Sequence, residues 1–527
     1  MEKQLLLFNG GLNTKVSPHL AQENQAVECS NIDLTKGSIY PIKDFEIRAS
    51  FTPTGYSNTF FNKQLVSSDI DEVRSYAIFG SRLYFTNGDY GSYGLYRVKD
   101  GNVVDATPPD VTTYYGFSHT FQTNGNLSGD YAYVYTVVDD EGVESAPSAI
   151  HYVKNVANQN IVLSATGSEV IASGETVAFR RLYRTGGVNP TFNLIGEFAP
   201  TETNFTDSIS DLDVSRIELT TFERSTPPTD LIHLAQCSGT MFASKGNKVY
   251  FSANGLPESW SELDYVVLDD TCTGIGIYTN QVIAFTESSS YQIVGTTRDN
   301  IYINKLPYKE GCLNHKTISN VTGMLVWTSK NGVCIYNGSN VTNVTKNILE
   351  WSGDGRLGSI TFDSNESSFD SNIGYLVKSA VGLDDKYYAV FQNGLGVIDI
   401  SNGLVASIIE YEDLEDVIYD NDENSITVVD KDLNLMVFKA NENNMTARWK
   451  TGLISNGDYS ILKDYRKIEF DNAPSSVKVY IDDKLVLTML RTKVFHLPAN
   501  SIGRSIQLYI EANTEIRSVY IQYGIVG

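Results

Sequence analysis

A chain of 527 residues is several times the size of one ordinary domain, and an apolar fraction of 41% with 11% aromatic residues is enough for packed cores, which excludes large-scale disorder and predicts two to four domains. The 63 Asp and Glu against 40 Lys and Arg leave a formal charge of −23, which argues against a direct grip on nucleic acid, because binding a phosphate backbone needs clustered basic side chains. Five cysteines, Cys29, Cys237, Cys272, Cys312 and Cys334, form no CxxC pattern and lie far apart, so they read as reduced thiols packed as small hydrophobes, with no metal site.

The opening MEKQLLLFNGG is too short in apolar residues for a signal peptide, and no segment approaches a membrane span, which predicts synthesis in the cytoplasm and no stable membrane insertion. Residues 1–50 have little core of their own and read as an extended arm. Within it the polar stretch from Ala21 to Cys29 is compatible with one or two helical turns, and the arm is expected to add a strand to the last unit of the fold that follows.

From Tyr76 the pattern YAIFGSRLYFTNGDYGSYGLYRV brings short alternating strands joined by tight turns, and it returns most clearly in GTMFASKGNKVYFSANGLPESWSELDY, Gly239 to Tyr265. Met241–Ser244 and Lys248–Ser252 are strands around a Lys245-Gly246-Asn247 connection. Similar units begin at Val282, Met324, Tyr387 and Ile426; counted from Phe242 to Ile283, Leu325, Tyr388 and Thr427, the steps are 41, 42, 63 and 39 residues, and three of the four match the roughly 40-residue period of propeller blades. The long step predicts an insertion. The fold class is thus all-β: a β-propeller whose first part spans 51–107 and whose remainder spans 229–448.

Between them, residues 108–228 hold seven or so candidate strands, including DYAYVYTVVDDEGVESAPS and VAFRRLYRTG, and read as an inserted Ig/fibronectin-like β-sandwich. After Trp449 short alternating strands such as VKVYIDD and IQLYI predict a second, C-terminal β-sandwich over 449–527.

No catalytic, cofactor-binding or metal residue is assigned and no cofactor is expected, since GxSxG, HExxH, Walker and GxGxxG signatures are absent. Asp139-Asp140-Glu141-Gly142 resembles a carboxylate cluster but ends in Gly between two alternating runs, which favours a solvated hairpin turn. The acidic run Glu410 to Asn424 lacks the Gly of an EF-hand loop and reads as a solvated inter-blade loop. His233 and Cys237 fall on one face of a strand in a structural role, and Thr328–Val333 matches the sialidase turn only weakly. With so many acidic residues a glycosidase pair is not excluded by sequence, but non-enzymatic function is favoured.

The N-terminal FNGGLNTKVSPHLAQENQAVECSNIDLTKGSIYPIKDF, the motifs YAYVYTVVDDEGVESAPS and RRLYRTGG, the unit GNKVYFSANGLPESWSE and the late LRTKVFHLPANSIGR are similar to structural proteins of short-tailed bacteriophages, and together resemble the tail nozzle, or hub. The resemblance implies a virion protein in six copies, arranged as a ring below portal and adaptor proteins. Tail fibres attach around it, and DNA leaves through its bore without specific binding. Six copies carry a formal −138, and acid-lined walls repel DNA phosphates so that the polymer slides. The alternative reading is a receptor-binding or adhesin propeller that recognises host surface glycans.

Overall fold

The computed structural model describes residues 2–526 apart from 51–56, 62–63, 69–74, 87–93, 100–101, 112–115, 167–174, 223, 352–355, 358–374, 392–393, 401–404, 412, 421–422, 439–442 and 456. The described residues are almost entirely strand and turn, with two short 3-10 segments, Leu34–Lys36 and His315–Thr317.

Six four-stranded antiparallel units follow one another along the described chain. Blade one is Ser75–Phe79, Arg82–Thr86, Tyr96–Lys99 and Asn102–Asp105; blade two is Ile232–Cys237, Thr240–Lys245, Lys248–Ala253 and Leu256–Val267. Blade three runs from Gly274 to Lys305, blade four from Ser319 to Asn343, and blade five from Ser379 to Glu410. Blade six takes Leu414–Asp420, Ser425–Asp430 and Asn434–Phe438 from this part of the chain, and its outer strand, Phe45–Ser50, comes from the N-terminal arm. The first strand of each blade packs against the first strand of the next from blade one to blade six. A radial array of small sheets around an axis is a β-propeller.

Blade two shows why the sequence folds this way. Gly246, at φ 58°, sits in the turn between Thr240–Lys245 and Lys248–Ala253, a backbone conformation that a residue with a Cβ adopts at a cost. The strand Thr240–Lys245 is buried on both faces because neighbouring blades cover it, so Met241, Phe242 and Ala243 follow one another without a solvent-facing break and only Thr240 and Ser244 among its buried residues are polar. The polar members are paired. Ser244 Oγ, for example, donates to the Ile232 carbonyl at 3.3 Å. Apolar side chains pack between adjacent blades: Tyr84 with Met241 and Trp260, Phe251 with Ile275, Phe285 with Trp327, and Val390 with Val428.

The insert departs from expectation in how it reaches two layers. One sheet, in the order Asn189–Phe198, Val177–Gly186, Gly116–Asp139, His151–Thr166, Asn204–Asp207, replaces two separate sheets with seven or so strands. Phe117 and Tyr135 lie on the same strand, where 18 residues of straight β-structure span about 60 Å. Their ring centroids are 5.3 Å apart, so the strand doubles back, and its register shifts between Thr123 and Tyr131 mark the bend. Phe198 and Phe205 of the two outer strands meet at 4.1 Å, which rolls the sheet around Tyr133, Val137 and Leu163.

The C-terminal sandwich has two sheets. One pairs Lys463–Phe470 with Val519–Ile525 and takes Glu2–Leu6 as an edge strand; the other contains Ala447–Thr451, Ile506–Ala512, Ser476–Ile481 and Lys484–Leu490. Ile468, Val519 and Ile521 pack against Trp449, Val479 and Leu508 between them. Ala26–Ser30, where helical turns were expected, is instead a strand. It pairs antiparallel with Ala447–Thr451 and touches Val405–Glu410 in parallel, so the second sandwich sheet is continuous with blade five. The extra length of the 63-residue step falls mainly within 352–374, most of which lies outside the described residues.

Candidate functional site

Two joints hold the insert and the C-terminal sandwich to the propeller, the first built around buried charge and the second around a half-buried ion pair. At the first, Arg97 leaves strand Tyr96–Lys99 toward the boundary of blades one and two and is 2% exposed. It meets Glu258 of blade two at 3.3 Å and Glu141 of the insert at 3.6 Å, and it is hydrogen-bonded to Glu175, also of the insert. Tyr84 donates to Glu258 Oε1 at 3.0 Å, while Lys99 reaches Glu175 at 2.7 Å and Asp140 at 3.1 Å. The turn that aims Glu141 is fixed locally: Asp139 Oδ1 accepts from the backbone N–H groups of Glu141 and Val143 at 3.0 and 2.8 Å. Burial pushes Glu258 up to about 7, opposed by Arg97 and the Tyr84 hydrogen bond. The hydrogen bond to Glu175 raises the Lys99 pKa against the penalty of burial. Asp139-Asp140-Glu141-Gly142 is therefore a turn, but a docked one: its acidic tip is neutralised by Arg82, Arg97 and Lys99.

The second joint centres on Glu410 at the end of blade five. It accepts from Ser30 Oγ at 2.7 Å, pairs with Arg448 of the sandwich, and accepts weakly from Asn31 at 3.4 Å. Asn31 also gives its amide to Thr446 O at 3.1 Å and accepts from the Glu410 N–H at 2.9 Å. The N-terminal arm is thus threaded between propeller and sandwich and bonded to both.

Inside the insert the RRLYRTGG motif has a comparable core. Arg184, 1% exposed, donates to Asp207 at 2.6 Å, to Asp211 at 3.0 Å and to the Ile209 carbonyl at 2.9 Å, and Tyr133 donates to the same Asp207 oxygen at 2.7 Å. Gly187 permits this. Its φ is 58°, and a Cβ there would stand 1.9 Å from an Asp211 carboxylate oxygen.

At the propeller centre the segment from Gly311 to Ile318 crosses the inner strands. Asn314 donates to Lys378 O at 2.8 Å before blade five; Thr317 O accepts from the Tyr387 hydroxyl at 2.6 Å. His315 Nδ1 accepts from the Ile275 N–H of blade three at 3.3 Å, so Nε2 carries the proton toward Ser75 Oγ of blade one at 2.9 Å. His233 of blade two lies 5.1 Å from the same imidazole. Burial, and then Lys316, depresses His315 to about 4. One short segment ties blades one, three and five together.

His233 and Cys237 do share strand Ile232–Cys237, but a register shift between Ile232 and Ala235, with His233 at φ 56°, breaks the two-pleat relation and turns His233 toward the hub. The middle of the acidic run Glu410–Asn424 is not a loop: Leu414–Asp420 is the inner strand of blade six, with Leu414 and Val417 buried and Glu415 paired to Lys378. Thr328–Val333 forms an ordinary hairpin connection. All five cysteines are free and buried, and burial pushes Cys29 and Cys312 up to about 12. Among the described residues no group of three or more His, Cys, Asp and Glu is placed to hold a metal ion, and no helix is long and apolar enough to cross a membrane.

A crevice of about 340 Å³ lies between the arm and blade five, lined by Ile32, Leu34, Ile42, Val397 and Phe438, with Asp33 and Lys386 paired at 3.8 Å across it. It is mainly apolar and open to solvent, and Tyr388 on its wall is pushed up to about 12 by burial and by Asp33, Asp384 and Asp399.

No family model matches the chain, and none of the curated proteins matches it in sequence. Solved structures similar to it include the WD40 domain of Pan2 from Neurospora crassa, at 9% identity over 54% of this chain and 86% of that one with a TM-score of 0.27. The Dos1 propeller follows at 11% identity over 69% and 90%, with a TM-score of 0.25. PorZ, a surface component of the type-IX secretion system of Porphyromonas gingivalis, aligns over 87% of this chain and 75% of its own at 11% identity, with a TM-score of 0.26.

Proposed function

We propose that this chain is a structural virion protein, the nozzle of a short-tailed phage tail, that assembles as a ring, in six copies, around a bore for DNA ejection. The observation that carries the reading is the pair of charged joints. The insert is locked to blades one and two through Arg97, and the C-terminal sandwich to blade five through Glu410, so that three modules behave as one stiff wall element. A passive conduit needs that stiffness; a reaction vessel needs a cleft with poised acid and base groups.

Charge supports the same reading. Residues 449–527 hold ten Lys and Arg against eight Asp and Glu, a net of +2, so the other 448 residues carry −25. Acidic walls let a polyanion pass without adsorbing. Portal and adaptor proteins and tail fibres are the neighbours this reading assigns, with no cofactor, no catalytic role, and location in the virion tail after synthesis in host cytoplasm.

The test is the mass of the purified full chain by light scattering across a concentration series. Six copies per particle supports the ring, and a monomer at every concentration, with binding to a host surface glycan, supports the adhesin instead.

A further inference from the structure

A second feature of the propeller is not needed for a conduit. Between blades three and four lies a cleft of about 700 Å³, lined by Ser288, Ser289, Lys305, Tyr308, Lys309 and Lys330, with Leu306, Pro307 and Asn331 completing it. Three separate pieces of chain bring these groups together. The serines come from the turn between Gln281–Phe285 and Ser290–Val294, Lys305 to Lys309 from the crossing between the blades, and Lys330 from the turn after Met324–Ser329.

The concentration of cations is against the local trend. Residues 229–448 hold 28 acidic side chains against 14 basic ones, yet three lysines face one cavity. Lys305 is held by Asp269 at 2.5 Å, whereas Lys309 and Lys330 make no ion pair with a described residue. The nearby acid Glu310 is engaged with the Asn331 amide, at 3.4 and 3.5 Å, and Glu287 precedes the serine turn on the exposed side. Tyr308 is pinned, its hydroxyl bonded to Ser339 O at 2.8 Å and to Asn340 Oδ1 at 2.9 Å, which fixes its ring on the cleft wall. Fixed aromatic surface, hydroxyls and two ammonium groups with no ion pair among the described residues suit a sugar that carries an oxyanion.

We propose that this cleft binds a small phosphorylated sugar, with Lys309 and Lys330 taking the phosphate and the serine turn and Tyr308 taking the ring. The cavity has the volume of a small-molecule site. A long polyanion such as DNA is disfavoured, because the stretch 229–448 that holds the cleft carries twice as many acidic as basic side chains. All of its lining comes from one chain.

Calorimetric titration of the full chain with glucose 6-phosphate, inorganic phosphate, glucose and a short oligothymidylate tests the assignment, with Lys309→Ala/Lys330→Ala as the comparison. Both lysines are at the surface, and an unchanged melting temperature verifies the fold of the variant. The expected result is that glucose 6-phosphate binds, glucose does not, and the double variant loses at least about tenfold in affinity, the scale of one charge-assisted hydrogen bond. Inorganic phosphate binding as tightly as the sugar phosphate, and lost equally in the variant, overturns the sugar and leaves a free-phosphate site. Absence of binding, binding indifferent to the two lysines, or tighter binding of the oligonucleotide overturns the proposal.

Discussion

Arg97 Nε and Glu258 Oε1 stand 3.3 Å apart across the boundary between blades one and two, each side chain 2% exposed. Glu175, 1% exposed, closes the same cluster from the insert. Truncating Arg97 leaves Glu258 with the Tyr84 hydroxyl and Glu175 with Lys99 but takes away the buried cation between them, and breaking a buried pair in this way costs about 3–5 kcal/mol. Arg97→Met is therefore expected to lower the urea midpoint markedly and to expose the 139–142 turn to protease. Arg97→Met combined with Glu258→Leu should recover part of the loss, because the second change removes one buried charge.

The same cluster sets a pH dependence. Burial holds Glu258 at about 7 in the folded chain, above its ordinary value of 4.5, so the folded state binds the proton more tightly than the unfolded one. Its contribution favours folding below about 4.5 and is progressively lost as the pH rises through 7. Relative to the parent chain, Glu258→Gln should gain stability between pH 5 and pH 8, by on the order of 2–3 kcal/mol at most. Chemical denaturation at both values reads this directly, and a pH-independent difference would mean that Glu258 is ionised throughout.

The hub titrates with the opposite sign. His315 is depressed to about 4 by burial, so the unfolded chain takes up the proton first. The stabilisation from neutral His315 is complete above about 6.5 and is lost as pH falls toward 4. The melting temperature of the parent chain should fall more steeply between pH 7 and pH 4.5 than that of His315→Asn. Parallel curves would remove His315 from the acid response.

Gly187→Ala places a methyl where Asp211 now sits and forces φ 58° on a residue with a Cβ. Loss of the Arg184–Asp211 contact follows, and hydrogen exchange should rise over Val177–Gly186 and 204–211 while the blades keep their protection.

Reading by sequence worked where the determinants are local. The hairpin Thr240–Lys245 to Lys248–Ala253 is set by Gly246 and two short apolar runs, all within a few residues of one another. It failed where partners are remote. The Leu414–Asp420 strand was hidden by its charge, and a register shift between Leu414 and Asp416 disturbs the alternation that would have revealed it. Strand Gly116–Asp139 is interrupted by the polar Asn124-Gly125-Asn126, so one bent strand reads as two. The joints were missed because Arg97 and Glu258 are 161 residues apart. The available signal was a charged residue in a strand position otherwise filled by apolar side chains, as in Tyr96-Arg97-Val98 and Pro257-Glu258-Ser259-Trp260.

Electron microscopy of the purified assembly tests the conduit most directly. The account predicts a ring of six copies around an open bore wide enough for duplex DNA, with acidic side chains facing it and propeller and sandwiches moving as one body. Monomers or closed dimers with no through-channel, or a bore lined with lysine and arginine, would contradict it.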